Sequence, residues 1–182
     1  MIETARLILR QWQASDLEPF AELNADPDVM RYFPAPLSRE ESDNLANRFK
    51  NIIEANKGWG FWAVELKTTG EFVGTVGLLH QAERFAFSPC TEIGWRLAKN
   101  FWHQGIALEA ATCALNFAFN QLYLDEIVAF TAVQNTPSEG LMKRLGMVKQ
   151  PSFMHPALAV SHVLAKHRLY KITRTGWLEK SI

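Results

Sequence analysis

The sequence predicts an α/β fold whose sheet holds both a parallel and an antiparallel pair of strands. Two patterns predict it. Across 91–98, Ile93, Trp95 and Leu97 alternate with Glu92, Gly94 and Arg96, the period of two of a half-buried strand. Beyond Gly105, Ala107, Ala110, Ala111, Ala114, Leu115 and Ala118 recur at three-and-four spacing, which marks a helix whose small face packs close to a sheet. A strand over 126–133, rich in Ile127, Val128, Phe130 and Val133, follows directly. Strand, helix, strand is a crossover unit, so these two strands lie parallel. The second pattern is 60–66 and 71–79, two strand segments joined by the short polar turn 67–70, which make an antiparallel hairpin.

Length and composition bound the rest. With 182 residues and 48% hydrophobic content, the chain suits one domain, 1–182, with a substantial core. Nineteen basic and nineteen acidic residues cancel, leaving no summed field for nucleic acid or an anionic membrane, so any phosphate binding is local. No apolar run nears the length of a signal peptide or a membrane span, which points to the cytoplasm. Cys90 and Cys113 stand apart and read as free thiols, Cys113 buried within its helix. The five His lack companions at ligand spacing, so no metal site is expected.

In chain order, 5–12 is a strand with Leu7 and Leu9 opposed to Arg6, Ile8 and Arg10, and Ser15 and Asp16 start a helix bearing Leu17, Phe20, Ala21 and Leu23. Asp26, Pro27 and Asp28 break it, and Pro34 and Pro36 keep the next stretch irregular. Ser38 with Glu41 forms a capping box. It opens a helix with Leu45, Phe49, Ile52 and Ile53 on one stripe, ending near Lys57 and Gly58. Gly74 and Gly77 weaken the second hairpin strand, which implies a bulge or a close backbone approach. After a loose connection over 81–89 comes the strand 91–98. Past 126–133, Asn135 to Ser138 turn the chain into a helix carrying Leu141, Met142 and Leu145 and closed by Gly146; taken alone, Asn135 suits the bend and Ser138 suits a cap.

The joint between 91–98 and its helix carries the chemistry. Gly105 fits a loop where backbone must approach something, and a helix beginning there offers unpartnered amides and a positive dipole end, which bind anions. The spacing is neither the dinucleotide pattern nor a P-loop, and a glycine turn before a helix also occurs as plain structure. Trp102, His103, Gln104, Gly105, Ile106 and Ala107 resemble the acyl-CoA loop of the GNAT superfamily of N-acetyltransferases, whose pattern is Arg or Gln, two free positions, Gly, one free position, then Gly or Ala. Trp102 departs at the first position. With Glu109 and Ala110 following, the loop looks like the RimJ/RimL-type branch. Glu3 to Arg10 resemble that branch's first strand and Asp16 the start of its first helix. Asn135 and Ser138, with Leu145, Gly146 and Met147, resemble the motif after its fifth strand. His155 to Leu158 and His167 to Ile172 resemble its closing strands. The likeness spans nearly the whole chain. His103, Gln104, Glu139 and Gly140 depart from it and thin the positive charge of the cradle, leaving Lys99, Lys143, Arg144 and Lys149 for the outer phosphate of coenzyme A.

The resemblance implies a GNAT fold: a twisted, mostly antiparallel sheet with a central splayed parallel pair and helices on both faces. It implies acetyl-CoA as cosubstrate without a metal. The pyrophosphate would lie on Trp102 to Ala107, the pantetheine along Ile93, Trp95 and Leu97, with Asn135, Ser138 and Lys143 also on the cofactor side. Ser138 would donate a proton near the thiol, and Glu92 would act as base through a water; the residues alone also read as a helix cap and a surface carboxylate. The acceptor is a protein N-terminal α-amine or a small-molecule amine, walled by the first two helices and by Phe33, Trp59, Trp62 and His155, aromatic positions that equally suit a core. A monomer or homodimer is expected, with no nucleic acid or membrane partner. Two other readings stay open: a non-catalytic acyl-CoA-binding sensor or scaffold, and a nucleotide-binding protein using the same helix end.

Overall fold

The computed structural model describes residues 1–180. In order they form β1 (Ile2–Glu3), β2 (Leu7–Arg10), α1 (Leu17–Ala25), α2 (Arg39–Ala55), β3 (Phe61–Leu66), β4 (Phe72–Gln81), β5 (Cys90–Leu97), α3 (Ile106–Asn120), β6 (Glu126–Ala132), α4 (Thr136–Arg144), β7 (Val148–Met154), β8 (Lys166–Thr173) and α5 (Arg174–Lys180). The strands join one sheet in the order β1-β2-β3-β4-β5-β6-β8-β7. β5 and β6 run parallel, Glu92 opposite Val128, as the crossover requires. β3 and β4 are the antiparallel hairpin. The chain groups into two compact units, Met1–Leu78 with Gly94–Ala114, and Leu79–Ile93 with Leu115–Ile182.

In the first unit the core gathers around Trp12, whose ring meets Phe20 edge-on at 4.7 Å and lies near Phe49 and Phe72. Leu7 and Leu9 of β2 are fully buried, as their alternation predicts. Arg10, expected on the outward face, is buried as well. Its guanidinium donates to both Asp16 carboxylate oxygens, at 2.7 and 2.9 Å, and to Glu65 at 2.6 Å, the pairing that a buried charge needs. Asp16 therefore does more than open a helix: it also accepts the Gln13 N–H at 2.8 Å, fixing a single 3-10 turn before α1. The capping box of α2 forms as predicted, with Glu41 N–H on Ser38 Oγ at 3.2 Å and Ser38 N–H on Glu41 Oε2 at 2.7 Å. Leu45 and Ile52 of the expected stripe are half-buried, whereas Phe49 and Ile53 are buried. Trp62 is core, 1% exposed with its indole N–H on the Gly58 carbonyl, so it walls no acceptor site.

Both strand glycines are close approaches. A Cβ on Gly74 would stand 2.3 Å from the Arg96 carbonyl oxygen, and one on Gly77 would stand 2.1 Å from that of Gly60. A register shift at Val64/Glu65 adds the bulge. In α3, Ala110, Ala111 and Ala114 are fully buried. Cys113 corrects the expectation of burial: it lies on the flank of that small face, half-buried, its Sγ 3.8 Å from the Glu3 carbonyl oxygen.

In the second unit, Leu115 and Ala118 extend the buried face of α3, and Phe85, Cys90, Val128 and Leu169 pack together with Phe87, Phe130 and Phe153. The C-terminal end of α4 is closed by Gly146 at φ 81°, its N–H on the Lys143 carbonyl at 3.0 Å. His155 to Leu158 correct the expectation of a closing strand there. They form a turn past the end of β7, because Pro156 cannot donate to a ladder and the Leu158 N–H folds back on the His155 carbonyl at 3.0 Å.

Candidate active site

β5 ends at Leu97, passes one 3-10 turn, Lys99–Phe101, and reaches the loop before α3. Trp102, the departure from the family pattern, folds its indole N–H back onto the Leu97 carbonyl at 2.9 Å. The side chain thus ties the loop to the strand that feeds it. Gln104 Nε2 donates to the Asn100 carbonyl at 2.7 Å. His103 and Gly105 take positive φ, 59° and 77°, so the chain reverses twice within three residues. A Cβ on Gly105 would meet only Arg6 Nη2, at an ordinary 3.5 Å. The glycine is therefore required by its dihedral angle, and the protein itself leaves room over the loop. The first helical bond of α3 runs from Glu109 N–H to the Gly105 carbonyl at 3.0 Å. The amides of Ile106, Ala107 and Leu108 precede it, in the positions that a helix leaves for an anion.

Arg6 and Glu109 hold this loop from behind. Arg6 Nη1 donates to the Gln104 carbonyl at 3.0 Å, and its Nε donates to Glu109 Oε2 at 2.6 Å. The Arg6 main-chain N–H donates to Glu109 Oε1 at 2.9 Å, and the Thr4 hydroxyl donates to the same oxygen. Burial pushes the Glu109 carboxyl up, but the bonds from Thr4 and Arg6 outweigh it and keep the group below its usual range. Sequence reading missed this clamp, since 103 residues separate Arg6 from Glu109 and no spacing links them. The only local signal was a carboxylate in the first turn of a helix.

Trp95, Leu97 and the loop Trp102 to Ala107 are thus assembled in the first unit, with Trp95 half-buried and Leu97 buried. Lys99 is bound to Asp28 by an ion pair. The second unit holds Glu92, Ile93, Asn135, Ser138 and Lys143. Glu92 is half-buried at the parallel step, and Ile93 is buried. Asn135 is the helix cap: its Oδ1 accepts the Ser138 N–H at 3.3 Å, while its Nδ2 donates to Thr131 Oγ1 at 2.8 Å. Ser138 is the third residue of α4, so its hydroxyl is not the cap that its type suggested. Lys143 Nζ lies 3.5 Å from Glu139, which divides its charge between that carboxylate and solvent. Among the described residues, no three His, Cys, Asp or Glu side chains gather to hold a metal ion.

Residues 6–148 match the family model for the acetyltransferase (GNAT) domain. The chain belongs to that family, and its sheet with the parallel β5–β6 pair is the GNAT fold. It is 29% identical over 190 residues to the FsC-acetyl coenzyme A-N(2)-transacetylase of Aspergillus fumigatus, covering 97% of this chain and 77% of that protein. An acetyltransferase (GNAT family) from Bacillus anthracis superposes with a TM-score of 0.80 at 26% identity, over 96% of this chain and 98% of the other. The spermidine N-acetyltransferase from Vibrio cholerae, solved with CoA and spermine, shares the fold with a TM-score of 0.74 at 22% identity, over 96% and 99% of the two chains. The protein is an N-acetyltransferase that uses acetyl-CoA and acts on an amine.

Proposed function

We propose that the protein acetylates a protein or peptide N-terminal α-amine, or a small-molecule amine, by direct attack in a complex holding both substrates, and that it belongs to the RimJ/RimL-like branch. The observation that carries this reading is the loop Trp102 to Ala107, locked to β5 at one end and to Arg6 and Glu109 at the other, with open space over Gly105. Its amides would hold the pyrophosphate, the main chain at Ile93, Trp95 and Leu97 would line the pantetheine, and Lys143 with Arg144 would face the outer phosphate. Acetyl-CoA supplies an acetyl group activated as a thioester. The whole chain acts as one domain, 1–182, a reading supported by β4, β5 and α3, each of which runs from one compact unit into the other; Ser181 and Ile182 lie outside the described residues. A cytoplasmic monomer or homodimer, without nucleic acid or membrane partners, fits the balanced charge. No helix among the described residues is long and apolar enough to cross a membrane.

An α-amine is the favoured acceptor. Its ordinary pKa is about 7.7 to 8.0 against about 10.4 for lysine, so at neutral pH its nucleophilic form is roughly 250 to 500 times more abundant. Mass spectrometry of peptides incubated with enzyme and acetyl-CoA should place acetyl groups on N-terminal nitrogens; acetyl only on lysine side chains contradicts this acceptor.

Ser138 would hold a proton for the departing sulfur. Because an ordinary thiol has a pKa of about 8.5 and leaves readily, the hydroxyl contributes only about a hundredfold. Ser138→Ala should slow turnover by that order without ending it, which single-turnover rates at saturating acetyl-CoA will show. Glu92, half-buried at the parallel step, would take the amine proton through a water. Glu92→Gln should remove the acidic limb of the pH–rate profile; an unchanged rate and limb mean that the amine arrives already neutral.

A further inference from the structure

Arg96 of β5 carries a positive charge that the protein does not neutralise. Arg6, Arg10, Arg31, Arg39 and Arg168 each face a carboxylate. Among the described residues, Arg96 faces none within ion-pair distance. Its Nη1 donates to Asn24 Oδ1 at 2.5 Å. Asn24 is 0% exposed and is itself fixed by donating to Ser42 Oγ at 2.9 Å. The Phe33 ring lies over the guanidinium, 4.1 Å from Cζ to centroid. Arg96 Nε is buried and finds no hydrogen-bond partner among the described residues.

A guanidinium carries five N–H donors, and one neutral amide oxygen leaves most of that capacity unmet. Burial lowers its pKa to about 10, so it stays charged at neutral pH. Arg96 as a whole is half-buried, so the guanidinium is open to an incoming group on one side while its buried Nε is cut off from water. Among the described residues its one polar task is to satisfy the buried Asn24 Oδ1, which uses a single donor and needs no charge. An anionic oxygen from outside the protein would supply the missing partner, with Asn24 fixing the fork of the guanidinium and Phe33 lying over it.

We propose that Arg96, with Asn24 and Phe33, is a subsite for a carboxylate carried by the amine acceptor. This rests on the transferase reading above and sharpens it: the enzyme favours amino acid-like or acid-bearing amines over polyamines, whose second cation Arg96 would repel. The acceptor is the favoured source of the anion, since both partners of Arg96 come from α1 and the segment after it, whereas the phosphate cradle is held separately by Arg6 and Glu109.

The test uses matched pairs of α- and ω-amino acids and their carboxamides as acceptors. For the wild-type enzyme, kcat/KM for the best acid should exceed that of its amide by about tenfold or more. Arg96→Met should erase the preference through KM for the acid, leaving kcat for the amide and the calorimetric affinity for acetyl-CoA unchanged. In the absence of acetyl transfer, the acid should raise the melting temperature of the wild type and not that of Arg96→Met. Should that variant fail to fold, Phe33→Leu, at a 37% exposed position, still reads the subsite by weakening the acid about two- to fivefold. Equal use of acid and amide by the wild type overturns the proposal, as does loss of acetyl-CoA affinity in Arg96→Met, which assigns the anion to a coenzyme A phosphate. Failure to acetylate any amine would instead overturn the transferase reading.

Discussion

Replacing Gly105 by glutamate should abolish acetyl-CoA binding in a protein that remains folded. Gly105 is exposed, and a Cβ there meets only Arg6 Nη2 at 3.5 Å, so the substitution leaves the core intact. Its φ of 77° strains any side chain, at about 1–2 kcal/mol. The larger effect falls on the ligand. A carboxylate would stand over the amides of Ile106 and Ala107, where the pyrophosphate is proposed to lie, and would compete for the Arg6 guanidinium that holds the Gln104 carbonyl. The expected loss of affinity is about a hundredfold or more, or ~2.8 kcal/mol. Gly105→Ala adds the strain without the charge and should lose far less. Calorimetric titration of acetyl-CoA with a parallel melting curve reads both effects. Unchanged affinity in a folded Gly105→Glu protein contradicts the assignment of the loop.

Glu139→Ala should lower the stability of the protein by about 1–3 kcal/mol, the cost of taking the acceptor from a buried hydroxyl and a half-buried guanidinium. Glu139 is 7% exposed; it accepts the Tyr170 hydroxyl at 2.7 Å and pairs with Arg168. The deletion strands the buried Tyr170 hydroxyl and leaves Arg168, half-buried, to water. Lys143, exposed and at 3.5 Å, compensates little. Urea denaturation measures the loss, and Glu139→Gln should lose less, since the amide still accepts from Tyr170. The pair also sets a pH dependence. The Tyr170 hydrogen bond is the main influence holding the Glu139 carboxyl below its usual range, against burial and helped by Arg168 and Lys143. Its contribution is therefore present above the ordinary carboxylate pKa of about 4.3 and lost as pH falls through the lower native value. Tyr170 is pushed up to about 12, first by burial and then by Glu139. That contribution is present below the ordinary pKa of about 10 and lost as pH rises toward the native value. A Glu139→Gln protein whose stability keeps the same acid limb as the wild type would contradict the assignment.

The sequence makes the crossover β5–α3–β6 legible because its signals are local: a period of two, a glycine turn, and alanines at helical spacing. The capping box of α2 and the close approaches at Gly74 and Gly77 are legible for the same reason. β7 is not, since its residues are mostly exposed without alternation, Pro151 interrupts it, and its pairing slips between Gln150 and Phe153. Long-range charge pairing is equally silent. Nothing near Arg10 shows that Asp16 and Glu65 bury it, and nothing near Arg6 points to Glu109. Trp102 reads as a defect in a motif until its indole is seen on the Leu97 carbonyl. Ser138 reads as a cap until Asn135 is seen to do that work.

The most direct measurement of the central claim is thiol release from acetyl-CoA, followed in the presence and absence of a panel of α-amino, ω-amino and polyamine acceptors. Release that depends on both acetyl-CoA and an amine, stays near background without the amine, and yields the matching N-acetyl product by mass is the predicted result. Tight acetyl-CoA binding with no amine-dependent release across the panel would contradict it, and would identify the protein as a sensor or scaffold on the same fold.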